Sequence, residues 1–155
     1  MTLQRFNGDE VFGVDEATVA FYVAENRSFA TTFRADAADA PIQTLPDTEE
    51  LHAKPFTELM LYLPTHPELA LLTGQSFTLA RGYDDASGEH LTNFYYCEHE
   101  LVDDVEITVI QRHLDRAHLR ITGTTIDVNY YDGSKPPTKI LIDAEFTLTF
   151  AQKVA

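Results

Sequence analysis

Hydrophobic and polar positions alternate with period two along the end of the chain. Ile140, Ile142, Ala144, Phe146, Leu148 and Phe150 fall on one face of an extended segment; Lys139, Leu141, Asp143, Glu145, Thr147 and Thr149 fall on the other. Upstream, Val105, Ile107 and Val109 share a face, as do Leu119 and Ile121. Runs rich in β-branched and aromatic residues predict further strands over 18–24 and 28–35, joined as a hairpin across Glu25, Asn26 and Arg27. Others are predicted over 56–63, 75–81, 91–99, 105–113, 118–129 and 139–150. Turn chemistry separates them at 83–88, 102–104, 114–117 and 132–137. Residues 36–50, rich in Ala, Asp and Pro, read as a loop in which Asp47 caps one helical turn. Pro67 opens a short helix to residue 72, ended by Gly74. No long segment of period 3.6 competes. The expectation is all-β: a single domain, 1–155, folded as an antiparallel β-sandwich or closed barrel of about eight to ten strands with one or two short helical turns.

Charge changes the picture more than composition does. The 155 residues carry 11 Lys+Arg against 25 Asp+Glu, a formal net charge of −14. Eight acids lie between Gly82 and Gln111 with no Lys or Arg among them: Asp84, Asp85, Glu89, Glu98, Glu100, Asp103, Asp104 and Glu106. A field of that sign repels phosphate, so DNA, RNA and anionic lipid are not expected partners. No apolar run reaches the roughly 18 residues of a membrane helix. The N-terminus lacks a basic segment followed by an apolar stretch, and Cys97 is the sole cysteine. Together these point to a cytoplasmic protein without a disulfide framework.

Candidate chemistry is sparse. His113 and His118 flank a short turn; opposed across a hairpin they would offer two imidazoles to Zn²⁺, with Glu98, Glu100 or Glu106 as a third ligand. Exposed polar residues at a loop tip account for them more simply, and neighbouring arginines oppose a cation. Asp127, Asn129 and Asp132 supply the hard oxygens that Ca²⁺ takes, but not at EF-hand spacing, and such residues also simply build turns. Cys97 and His99 stand two apart, on one face of a predicted strand, the arrangement of a thiolate and its base. Ser76 lacks a nucleophile elbow. Asp84–Asp85 and Asp103–Asp104 are neighbours in turns that point apart, unlike the facing carboxyls of a glycosidase. No phosphate-binding glycine motif is present. No catalytic residue, metal ligand or cofactor is assigned.

In being small, acidic and β-rich, the chain resembles some immunity-type inhibitors and many bacterial domains, but no motif carries the resemblance. The function expected is non-enzymatic: a protein-binding or inhibitor module whose acidic face meets a basic protein partner. Its contact residues are expected to be Asp84, Asp85, Asp103 and Asp104, with Tyr130, Tyr131 and Lys135 from the proline-stiffened loop at 130–137. The alternative is a small molecule held in a sandwich or barrel pocket lined by His and Tyr, with His90, His99 or Tyr96 among them. Self-association, through a free edge strand, stays open.

Overall fold

A computed structural model describes residues 1–25 and 28–149. Twelve strands run in chain order: β1 (Thr2–Arg5), β2 (Gly8–Val23), β3 (Phe29–Gln43), β4 (Phe56–Leu63), β5 (Ser76–Leu79), β6 (Tyr83–Asp84), β7 (Glu89–His90), β8 (Thr92–Tyr96), β9 (Glu98–Glu100), β10 (Asp103–His113), β11 (Arg116–Thr125) and β12 (Thr138–Thr149). One helical turn, α1 (Pro67–Ala70), lies between β4 and β5, and no described helix is long and apolar enough to cross a membrane. Pro67 starts α1, and Gly74, at φ +88°, follows its end. Three residues of the expected elements, Asn26 and Arg27 of the turn and the terminal Phe150, lie outside the described residues.

Ten strands form one sheet in the order β5-β10-β11-β12-β1-β2-β3-β4-β8-β9, and β6 and β7 form a separate small hairpin. The large sheet is antiparallel except at one fork. The start of β12 pairs with β1, while Thr147–Thr149 run parallel to Thr18–Ala20 of β2. The order is linear; β5 and β9 are its ends and do not pair with each other.

Alternation explains the core. Ile140, Ile142, Phe146 and Leu148 of β12 are buried, with Ala144 half-buried between them, and their partners in register are Gly123, Ile121, Ala117 and β2. Val105, Ile107 and Val109 lie on the same inward face of β10, and Phe94 and Tyr96 on that of β8. These side chains join Leu3, Phe12, Val19, Phe33, Leu59 and Leu61 in one hydrophobic cluster.

The structure corrects the expected elements in three places. First, residues 2–5 and 8–16 are strand, although no strand was expected there; the Met1 ammonium donates to the Phe12 carbonyl at 2.8 Å, and β1 is held between β12 and β2. Register shifts between Val11 and Glu16 break the simple alternation that would have revealed the strand. Second, the expected loop from residue 36 is strand as far as Gln43. Ala35 and Ala37 fill inward positions, and small residues there carry little β signal. Third, the strand expected over 91–99 is two strands. Cys97 occupies a left-handed φ of +61°, so Tyr96 stands opposite Glu98 across a one-residue turn.

Candidate functional site: an acidic cleft on the outer face

On the outward face of β3, β4, β8 and β9 lies a cleft of about 460 Å³, lined by Thr32, Glu58, Met60, His90, Leu91, Thr92, Asn93, His99, Glu100 and Leu101. Alternation places its walls. Phe33, Leu59 and Phe94 point into the core, so Thr32, Glu58, Met60 and Asn93 point out. The β8–β9 hairpin folds back over them. Phe94 stands opposite Glu100 and Tyr95 opposite His99, and His99 Nδ1 lies 2.9 Å from Asn93 Oδ1. An aromatic shelf borders the cleft: Tyr95 stacks on Phe56 at 5.6 Å between centroids, His99 leans on both rings, and the Arg34 guanidinium lies 4.3 Å over Phe56. Arg34 also holds Asp36 and Glu58, at 2.8 and 3.1 Å.

The second carboxylate of the cleft is different. Glu100 takes part in none of the described ion pairs, and burial, with Glu98 nearby, pushes its carboxyl above the usual glutamate range. The surrounding acids add to the same field. Of the eight acids between Gly82 and Gln111, only Asp85 has a basic partner among the described residues, Arg81, at 3.7 Å.

The expected contact residues separate into groups. Asp84 turns inward on its own hairpin, accepting from Ala86 N–H at 3.0 Å and Ser87 Oγ at 2.8 Å; those bonds hold its carboxyl below the ordinary aspartate value. Asp103 Oδ1 accepts from Gly82 N–H at 2.7 Å and so ties the base of the β6–β7 hairpin to β10. Asp85 and Asp104 are exposed, Asp104 at φ +50°. None of the four lines the cleft, but the Gly82 carbonyl accepts from the amides of Leu91 and Thr92, which do.

The 130–137 loop is held against the body of the protein. Lys135 Nζ sits 5.1 Å from both the Phe6 and Tyr130 rings, which meet edge to face. Tyr131 donates to the Tyr96 carbonyl beside the β8–β9 turn, and burial raises its phenol well above the ordinary value. The loop therefore braces the back of the strand pair that builds the cleft.

The remaining candidate chemistry is not assembled. A bulge between Val109 and Gln111 shifts the β10–β11 register, so His118 faces Gln111 and His113 faces Arg116; the two imidazoles are not opposed. They share a small polar pocket with Arg116, and His118 Nε2 bonds Asp143. The Asp127 carboxylate is taken by Arg5 and Thr138, and Asp132 caps Ser134 N–H. No group of three or more His, Cys, Asp and Glu suited to a metal ion occurs among the described residues. The Cys97 thiol, raised by burial and by Glu98, lies in the turn and is not hydrogen-bonded to His99 in any described contact. Of the residues expected in a small-molecule pocket, His90 and His99 line the cleft, whereas Tyr96 is buried in the core against Glu10.

Sequence reasoning missed Glu58, Asn93 and Glu100 as cleft residues. The alternation in 56–63 already puts Glu58 outward, but the fold-back of β9 depends on Cys97, which carries no hairpin signal of its own. Comparison with known proteins gives no matching family model, no matching curated protein and no matching solved structure.

Proposed function

We propose that the protein is a binding module for a basic protein segment, received on the outer face of β4, β8 and β9 with a cationic side chain in the cleft. The observation that carries this reading is the lining of the cleft: Glu58 and Glu100 stand among it with no lysine or arginine, and the Tyr95, Phe56 and His99 rings border it. A lysine or arginine entering there gains a carboxylate and exchanges water for the flat faces of Tyr95, Phe56 and His99. The wider field of −14 accelerates encounter with a basic surface and disfavours acidic competitors. We read the sheet as a curled barrel left unclosed, which gives the cleft a rigid wall. A free cationic small molecule is the second reading, favoured by the presence of His90 and His99 in the cleft.

Calorimetric titration with a short peptide of alternating lysine and threonine tests this. Glu100→Gln weakens binding about tenfold, the scale of one desolvated charge-assisted bond. Glu58→Gln weakens it less, because Arg34 already shares that carboxylate. Asp115→Asn, at the far β10–β11 tip, leaves it unchanged. Equal affinity of the wild type and Glu100→Gln would reject the cleft as the receiving site. Tight binding of lysinamide alone, with nothing gained by the peptide, would favour the small-molecule reading.

A further inference from the structure

The polar groups sealed behind the sheet carry a second inference, independent of the binding face. Arg5 of β1 is buried, and every nitrogen of its guanidinium serves an aspartate. Nε and one Nη bond Asp127 at 3.0 and 2.8 Å; the Nη pair bonds Asp47 at 3.0 and 2.8 Å. Glu10 of β2, fully buried, is left outside this arrangement: its nearest approach to Arg5 is 3.7 Å, beyond hydrogen-bond distance. Its Oε1 contacts Thr48 Oγ1 and lies 3.1 Å from the Tyr96 hydroxyl, while its Oε2 is buried with no hydrogen-bond partner.

Proton counting decides what this means. The Thr48 hydroxyl owns one proton and also lies 3.2 Å from the Leu45 carbonyl, which can only accept. If Thr48 donates to Leu45, the proton between Thr48 and Glu10 must come from the carboxyl. Charge points the same way. One guanidinium already faces two aspartates; an ionised third carboxyl would sit in a dry site with an oxygen that no hydrogen bond reaches.

We propose that Glu10 is held as a neutral carboxylic acid, completing a one-way chain from Tyr96 Oη–H to Glu10 Oε1–H to Thr48 Oγ1–H to the Leu45 carbonyl, and that ionising it weakens the fold. The groups facing Glu10 are Arg5 from β1, Asp47 and Thr48 from the 45–48 turn and Tyr96 from β8, with Asp127 behind Arg5. Burial outweighs the contacts with Thr48 and Tyr96 and the pull of Arg5, and holds Glu10 above its ordinary range. The two aspartates are held below theirs, and Arg5 and Tyr96 above theirs, so Glu10 is the member of this group that titrates between. A carboxyl raised in the folded state gives stability that is complete below the ordinary glutamate value and is lost as pH rises through the raised one. The chain ends at the Leu45 carbonyl and passes through Thr48, beside Asp47, so the 45–48 turn is the part released first.

Two measurements on the intact chain test this. In ¹³C-labelled protein, the side-chain carboxyl signal of Glu10, assigned through its own backbone, stays at the protonated position through the pH range in which exposed glutamates titrate and moves only above it. In denaturant melts, the wild-type folding constant falls as pH rises from the ordinary glutamate range towards that titration, with a limiting slope of about tenfold per pH unit, that of one proton. Glu10→Gln, neutral at all pH values, lacks that decline. If Glu10→Gln does not fold, the carboxyl signal alone decides. A carboxyl that titrates at the ordinary glutamate value, or parallel pH profiles for wild type and Glu10→Gln, overturns the proposal.

Discussion

Asp127 shows how one residue type carries two stories until its partner is known. Beside Asn129 and Asp132 it reads as a loop oxygen for a cation. In the fold it is a fully buried counterion for Arg5, 122 positions earlier in the chain, and a bond partner of Thr138. Nothing local in Thr2–Arg5 announces a buried arginine, so this pairing was not legible in the sequence. Asp127→Ala leaves Arg5 with Asp47 alone and is expected to cost roughly 3 kcal/mol, read as a lower urea midpoint; an unchanged midpoint would show that the buried pair adds nothing. The Arg5 bonds hold Asp127 and Asp47 below the ordinary 3.8, against the opposing effect of burial. Their contribution is present above 3.8 and disappears as pH falls through the depressed values, opposite in sign to that of Glu10. Stability therefore declines below the ordinary carboxylate range through the aspartates and above it through Glu10.

Among elements, what was legible follows the strength of alternation. β12, β10 and β11 were readable because Ile and Val recur at every second position. The β8–β9 turn was not, because it rests on the φ of Cys97. The joint at Gly82 was equally hidden. A Cβ there would meet Thr92 Oγ1 at 2.1 Å and the Val102 carbonyl at 2.6 Å. Thr92 Oγ1 in turn bonds the backbone of Val102 at both its N–H and its carbonyl. Here the start of β10, the β6–β7 hairpin and the cleft wall meet. Gly82→Ala is expected to destabilise the protein by about 1–3 kcal/mol and to speed hydrogen exchange at Leu91 and Thr92, whose amides bond the Gly82 carbonyl. Exchange unchanged at those two amides would show that the joint tolerates the methyl group.

The whole molecule combines a linear sheet, a sealed polar centre and an acidic outer cleft. The sign of the charge and the acid-rich 84–106 stretch were legible from composition. That Asp84 and Asp103 hold the hairpin in place, while Glu58 and Glu100 are among the residues that line the cleft, required the fold. The central claim is that this cleft receives a basic segment through its charge. It is tested most directly by amide NMR on the labelled protein, titrated with the alternating lysine–threonine peptide at low salt and again at about 0.5 M salt, where screening falls well inside 10 Å. The account predicts shifts concentrated at Thr32, Asn93, His99 and Glu100 that fade at high salt. Shifts absent from these residues, or the same at both salt concentrations, would contradict it.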